Sequence, residues 1–169
     1  VVQDADALKN CDLVFEAVRE TLEAKRQAFA RICELVSPNA ILASTTSTIL
    51  VTDLVPLVTH PERLLNAHWL NPAYVIPLVE ISVHKGTSAE TIKKTKALLE
   101  DCGKVPVVCG PTPGFIVPRL QALVMNEAAR MVEEGAATAE EIDKATRYGL
   151  GLRFAALGVV EFIDFGGAD

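Results

Sequence analysis

Several features that would narrow the class of this protein are missing from its sequence. The cysteines at 11, 33, 102 and 109 form no C-x-x-C pair and have no histidine at metal-ligand spacing. There is no run of about 18 apolar residues to suggest a membrane span. The first residues lack the charged segment and apolar core of a secretion signal. We therefore expect free thiols in the cytoplasm, with no metal site and no membrane contact.

The sequence also lacks an excess of basic residues. Lys and Arg number 16 against 22 Asp and Glu, and the net charge is −6. An acidic surface does not attract a phosphate backbone, so we do not expect nucleic-acid binding. Apolar residues are plentiful: they make up half of the 169 residues. That is enough to bury a core without help from disulfides or a metal.

Short apolar runs alternate with helical periods over the first two thirds of the chain. The runs typical of buried strands lie at 12–18, 40–44, 64–70, 76–83 and 104–110. Helical periods occupy 21–36 and 88–103, and an amphipathic segment lies at 51–57. This alternation predicts an α/β layer with a mostly parallel sheet.

After the PTPG turn at 111–114 no strand pattern returns. We expect helices over 115–135, from a capping box at 138 to about 149, and over 155–165. The predicted fold is therefore α/β followed by all-α. Its domains are residues 1–112 and 113–169.

The segment 66–81, NAHWLNPAYVIPLVEI, holds the residues with the clearest chemical potential. Glu80 lies inside an apolar run, where a charge is costly to bury without a partner. His68, on the preceding strand, is that partner if both side chains point to one face. A carboxylate orients a histidine that transfers protons near neutral pH. Ser47, in the turn after the strand at 40–44, would lie in the crevice at the carboxyl ends of the strands.

Each of these residues also has a purely structural interpretation. A histidine in an apolar stretch is often a satisfied core residue, and a glutamate in a strand can face solvent. The Ser/Thr cluster at 44–48 can be a turn that satisfies its own backbone. The residue pattern alone leaves these alternatives open.

Five ordered segments carry a pattern that is more specific than any single motif. They are DLVFEAVRETLEAK (12–25), ILASTTST (41–48), NAHWLNPAYVIPLVEI (66–81), TPGFIVPR (112–119) and MNEAARMVEEGAATAEEIDKATRYGLG (125–151). Together they resemble the NAD-dependent L-3-hydroxyacyl-CoA dehydrogenase family over essentially the whole chain. The resemblance implies the C-terminal part of a Rossmann-type NAD-binding domain, followed by the start of a helical dimerisation domain. It also implies reversible oxidation of a 3-hydroxyacyl-CoA, with hydride passing to NAD.

The resemblance further implies roles for individual residues. His68 resembles the general base, Glu80 the carboxylate that orients it, and Ser47 a hydroxyl that contacts substrate and cofactor. Contacts with NAD are implied for Ala17, Glu20, Lys25, Ser47 and Asn71. Asn71 and position 118 would also line the substrate pocket.

Two departures from the family pattern bear on function. The chain has no G-x-G-x-x-G fingerprint and no acidic residue following it. We therefore expect a piece of a longer enzyme that carries half of the cofactor site. The second departure is Pro118, which stands where the family has Asn in GFIVNR. Proline offers neither a side-chain donor nor an N–H, although it suits the first turn of a helix.

These departures leave the substrate open. A 3-hydroxyacyl-CoA is the first expectation. The alternatives are a small 3-hydroxy acid, as in gulonate- or carnitine-dehydrogenase-like relatives, and an inactive fragment that acts as a dimerisation module. A homodimer through the helices at 115–165 is expected in each case.

Overall fold

The computed structural model describes residues 5–167, in two compact units that divide after Arg119. The first unit is built on five strands that lie side by side in chain order: β1 (Leu13–Glu16), β2 (Ile41–Ser44), β3 (Leu64–Trp69), β4 (Leu78–Ser82) and β5 (Val105–Cys109). Neighbouring strands are parallel except β3 and β4, which are antiparallel. The predicted mostly parallel sheet is confirmed. The carboxyl ends of β1, β2 and β3 therefore share one edge with the amino ends of β4 and β5.

Three α-helices belong to the first unit: α1 (Leu22–Leu35), α2 (Val51–Leu54) and α3 (Ala89–Asp101). Hydroxyl groups cap the two long helices: Thr21 accepts from Ala24 N at 3.2 Å, and Ser88 accepts from Thr91 N at 3.1 Å. Short 3₁₀ turns lie at Ala5–Asn10, Val55–Leu57 and Pro61–Arg63. Because the capping residues stand just before amphipathic periods, the sequence indicated both long helices to within two residues.

Both faces of the sheet are covered by helices. Because successive side chains of a strand point to opposite faces, alternate residues pack on opposite sides. On one face Leu65, Ala67, Val79 and Ile81 pack with Leu99 of α3. On the other face Leu64 and Leu42 pack with Phe29 of α1 and with Val51 and Leu54 of α2. His68 and Glu80 alternate with the first set, so both point to the face that α1 and α2 cover.

The second unit is helical. Its helices are α4 (Val117–Glu133), which starts before the division, α5 (Ala139–Ala145), α6 (Leu152–Ala156) and α7 (Val159–Gly166), with a π-helical stretch at Thr146–Gly151. The helix expected to run from 138 to about 149 is α-helical only as far as Ala145. The prediction of a single helix over 155–165 is wrong. Leu157 is extended there, and the Gly158 N–H bonds the carboxylate of Glu161 at 3.3 Å, which starts a new helix.

Within residues 5–167 no helix combines the length and the apolarity that a membrane crossing requires.

Candidate active site

His68 and Glu80 face each other across the antiparallel pair β3 and β4. They are direct partners in the register, so their side chains leave the sheet on the same face. Nδ1 of His68 lies 2.8 Å from Oε2 of Glu80. Glu80 is fully buried and His68 is 5% exposed. The contact expected from the sequence is present, and a solvent-facing Glu80 is excluded.

The second oxygen of Glu80 is held from another direction. Oε1 accepts the N–H of Ile116 at 2.8 Å and that of Val117 at 2.7 Å, where α4 begins. Three hydrogen bonds and the positive end of a helix thus compensate the burial of this carboxylate. Since Oε2 can only accept, Nδ1 of His68 carries a proton, and Nε2 is left as the acceptor of the ring.

Phe115 covers the ring of His68 and was not identified from the sequence. The two rings stack with centroids 4.6 Å apart and an interplanar angle of 14°. Phe115 has φ of 47°, in the left-handed region that a bulky residue seldom adopts, directly after Gly114 at φ of 77°. Such strain costs on the order of 1–3 kcal/mol and occurs where the surroundings impose it. In this turn the next two N–H groups are bound to Glu80.

Nε2 of His68 has no hydrogen-bond partner in the described part of the chain. The ring is therefore fixed through Nδ1 and through one face, with an acceptor nitrogen left for a ligand.

Glu20 organises the Ser/Thr turn that follows β2. Its Oε1 accepts the N–H groups of Ser47 and Thr48, each at 2.9 Å, together with the hydroxyls of Thr46 and Thr48. Burial acts to raise the pKa of Glu20. The hydrogen bonds from Thr46, Thr48 and Ser47 outweigh it and lower that pKa to about 2. The N–H groups of this turn are thus satisfied by a glutamate from the loop after β1. The sequence alone also allowed them to be satisfied within the turn.

Lys25 lies behind Glu20 in a buried ionic cluster. Its amine donates to both carboxylate oxygens of Glu16, at 3.1 and 2.9 Å, and to Oγ of Ser44 at 3.2 Å. It also lies 3.5 Å from Oε2 of Glu20. Lys25 is fully buried. The outward-facing member of the cluster is Glu20, whose side chain is 38% exposed.

The other predicted site residues follow the ends of strands. Ala17, Ser47 and Asn71 are exposed residues just beyond the carboxyl ends of β1, β2 and β3 respectively. Open α/β sheets bind ligands along this edge. The exposed hydroxyl of Ser47 and the ionised carboxylate of Glu20 are groups that can hydrogen-bond to the ribose hydroxyls of a dinucleotide. Pro118 is the second residue of α4, directly after the Val117 N–H that binds Glu80.

Sequence reasoning missed Glu16, Ser44, Phe115 and the two main-chain donors to Glu80. Glu16 and Ser44 lie at the last positions of β1 and β2, where a polar residue closing an apolar run was the available signal. For the donors there was none, because they lie 36 and 37 residues from Glu80.

Comparison with known proteins relates both parts of the chain to the same family. Residues 1–112 match the NAD binding domain of 3-hydroxyacyl-CoA dehydrogenase, and residues 114–169 match its C-terminal domain. The chain is 40% identical to 3-hydroxyadipyl-CoA dehydrogenase of Escherichia coli, over 99% of this chain and 35% of that protein. It is 37% identical to L-carnitine dehydrogenase of Pseudomonas putida, over 97% of this chain and 51% of that protein.

A solved structure agrees. The 3-hydroxyacyl-CoA dehydrogenase of Archaeoglobus fulgidus superposes with a TM-score of 0.83 at 38% identity, covering 94% of this chain and 54% of that one. The chain spans between about a third and about half of the length of these relatives. With family models matched over nearly every residue, the chain belongs to the 3-hydroxyacyl-CoA dehydrogenase family.

Proposed function

We propose that this chain carries the proton-transfer dyad of an NAD-dependent dehydrogenase that interconverts (S)-3-hydroxyacyl-CoA and 3-oxoacyl-CoA. The observation that supports this most strongly is the state of His68. Its Nδ1 is held 2.8 Å from the buried Glu80, while Nε2 has no partner among residues 5–167. A ring fixed in this tautomer is ready to take a proton from a substrate hydroxyl.

In the oxidation direction, Nε2 of His68 accepts the proton of the 3-hydroxyl while the adjacent carbon loses a hydride. Bound NAD supplies the acceptor for that hydride. The imidazolium that forms is stabilised by Glu80, whose second oxygen stays bound to Ile116 N and Val117 N throughout. In the reverse direction His68 returns the proton to the 3-oxo group.

The residues proposed to hold NAD are Ala17, Glu20, Lys25, Ser47 and Asn71, with Ser47 and Asn71 also next to substrate. Glu20 has the sharpest role among them, because it accepts the Ser47 N–H and so sets where the Ser47 hydroxyl lies. Lys25, whose amine lies 3.5 Å from Oε2 of Glu20, is proposed to contact NAD beside it. We assign cofactor binding and catalysis to residues 1–112, and the start of a helical domain to residues 113–169.

The test is His68→Gln in the full-length protein, assayed with acetoacetyl-CoA and NADH. Loss of the base lowers kcat by about 10²–10⁴-fold, while NADH binding by titration calorimetry is retained. His60→Gln is the matched control: His60 is an exposed histidine whose ring pairs with Glu62, and we expect wild-type turnover. Unchanged turnover in His68→Gln would refute the proposal.

A dehydrogenase of a small 3-hydroxy acid is the second candidate, and Pro118 is the observation that favours it. This proline has no donor for a substrate carbonyl, and it directly follows Ile116 and Val117, the main-chain donors to Glu80. Comparing kcat/KM for free 3-hydroxy acids and carnitine with that for CoA thioesters distinguishes the two. A preference of at least about tenfold for a free acid, which corresponds to 1.4 kcal/mol, would select this candidate.

We also propose that the second unit forms a homodimer. Leu123, Met125, Leu152, Val160 and Phe165 are each more than 60% exposed, and Ile142 is the one hydrophobic residue of 120–167 that is buried. Helices with this much apolar surface need a partner. A monomer at micromolar concentration in analytical ultracentrifugation would contradict this.

If the 169 residues act alone, they form a dimerisation module without activity, because they contain no G-x-G-x-x-G turn to bind a pyrophosphate. Sub-millimolar binding of NADH to this chain would contradict that view.

A cytoplasmic location completes the proposal. All four cysteines are free thiols, as is usual in a reducing compartment. Fractionation that places the protein outside the cytoplasm would oppose it.

A further inference from the structure

Lys104 contacts the segment that joins the two strands of the dyad. It directly precedes β5, and its amine lies 2.5 Å from the carbonyl oxygen of Ala73 and 3.2 Å from that of Ile76. The same amine lies 5.6 Å from the centroid of the Trp69 ring. All three contacts fall between His68 and Glu80 in the chain.

The joining segment, residues 70–77, is poorly held otherwise. Its internal bonds run from the N–H groups of Val75 and Ile76 to the Pro72 carbonyl, each at 2.9 Å. Its far end is tied where the Val105 N–H donates to the Pro77 carbonyl at 2.9 Å. Tyr74 and Val75 are 89% and 62% exposed, so their side chains contribute little packing. Among the described residues, Lys104 is the side chain that hydrogen-bonds to this segment.

The chemistry of Lys104 suits a clamp. An ammonium group donates charge-assisted hydrogen bonds, which are stronger than those between neutral groups. Both of its acceptors are main-chain carbonyls, so it restrains the backbone itself. The face of an indole ring attracts a cation as well. Trp69 packs edge-on against Phe15 with centroids 5.8 Å apart, and Lys104 adds the link from Trp69 to the segment beyond it.

Lys104 and Trp69 lie on the opposite side of β3 from His68 and Glu80. Trp69 packs with the residues of the α3-covered face, whereas its neighbour His68 points to the other face. Restraining Trp69 therefore restrains the strand end that carries His68 without touching the ring. Asn71, two residues further on, lies in the restrained segment.

We propose that Lys104 is a positioning residue, which holds residues 70–77 in place so that the pocket beside His68 keeps its shape. Its effect on turnover rests on the function proposed above, whereas its effect on the loop does not. Replacing it should therefore loosen the loop and weaken substrate use while leaving the dyad intact.

The loop is tested first, in the full-length protein, by cleavage with chymotrypsin after the exposed Tyr74, followed by mass spectrometry. Lys104→Met keeps the length of the side chain and removes all three donors. Because cleavage follows the population of the open loop, its rate should rise by about tenfold or more. Lys104→Arg should restore protection, and Lys104→Gln, with one neutral donor group, should fall between. Lys93→Met, an exposed lysine of α3, is the matched control and should cleave like wild type.

Turnover is tested next, with acetoacetyl-CoA and NADH across pH. For Lys104→Met we expect kcat/KM to fall by about 10- to 100-fold, mainly through KM, since substrate positioning is what is lost. The midpoint of the pH–rate profile should stay at the wild-type value because the contact between His68 and Glu80 is untouched.

Three results would overturn the inference: unchanged cleavage in Lys104→Met, faster cleavage with unchanged kinetics, or a shifted pH midpoint. If the wild-type protein has no dehydrogenase activity, the proposed function fails, and the cleavage series still decides whether Lys104 holds the loop.

Discussion

Replacing Glu80 with glutamine keeps the shape of the side chain while removing its charge and one of its two acceptor oxygens. Which way the new amide points is decided by Ile116 N and Val117 N, the two donors 2.8 and 2.7 Å from Oε1. They need an acceptor, so the amide oxygen stays with them and the NH₂ group turns to His68. Nδ1, 2.8 Å away, must then accept. The ring changes tautomer, and its proton moves to Nε2, the nitrogen that has to take the substrate proton.

This change has separate costs for turnover and for stability. A base held in the wrong tautomer loses on the order of 10²–10⁴ in kcat. Folding loses less, because the shape is kept and only the charge assistance of the hydrogen bonds disappears, about 1–3 kcal/mol. Glu80→Ala would leave both N–H groups and the histidine unpaired, which costs about 3–5 kcal/mol. A large fall in kcat with a modest fall in stability is therefore specific to Gln.

The assays are steady-state kinetics with acetoacetyl-CoA and NADH from pH 5.5 to 9, and urea unfolding of wild type, Glu80→Gln and Glu80→Ala. Glutamine turnover within about threefold of wild type would refute the tautomer argument, since a wrong tautomer costs at least about 10². So would equal destabilisation by Gln and Ala. The first result would mean that the carboxylate serves only to fill a buried position, and the second that the amide of Gln does not satisfy Ile116 N and Val117 N.

Three further predictions concern the edge of the sheet and α4. The pKa of Glu20 is about 2 in the fold against an ordinary value of 4.5, so its carboxylate stabilises the fold above about pH 4.5 and loses that effect as pH falls toward 2. After allowance for solvent screening of this part-exposed group, the contribution is about 1–2 kcal/mol. Urea unfolding should show the difference between wild type and Glu20→Gln narrowing over that window, and a constant difference would contradict it. Lys25→Met leaves the buried Glu16 without its cationic partner, with only Ser44 Oγ and Val18 N still donating to it. It should destabilise by about 3–5 kcal/mol, while the double variant with Glu16→Gln recovers part of the loss. A double variant no more stable than Lys25→Met would show that the pair is not coupled. Pro118→Asn supplies a side-chain donor worth about 1–3 kcal/mol to a buried acceptor, so kcat/KM for CoA thioesters should rise by about tenfold or more. An unchanged kcat/KM would show that the residue at position 118 does not contact the substrate.

Local physics accounts for the parts of the fold that the sequence predicted. The helix α1 needs only Thr21 as a cap and an apolar face that includes Phe29, and both are properties of a single segment. The strand period of two places His68 and Glu80 each on one face of its strand. That made their contact a reasonable expectation before the pairing of the strands was known.

The parts that the sequence left open or predicted wrongly depend on which of several hydrogen-bond partners a polar group takes. The apolar stretch at 155–165 has a helical composition, yet Gly158 and Glu161 form a cap that starts a second helix there. The Ser/Thr turn at 44–48 can satisfy its own backbone as long as Glu20 is not known to accept the N–H groups of Ser47 and Thr48. In both places the outcome depends on which polar group finds a partner.

By itself the sequence determined the five strands, the two long helices between them and the family to which the chain belongs, because caps, turns and apolar periods act over a few residues. Only the tertiary structure decided that β3 and β4 run antiparallel, which makes His68 and Glu80 direct neighbours. It also decided that the start of α4 supplies two donors to Glu80. Such contacts join residues dozens of positions apart, and they form only when packing the core brings those segments together.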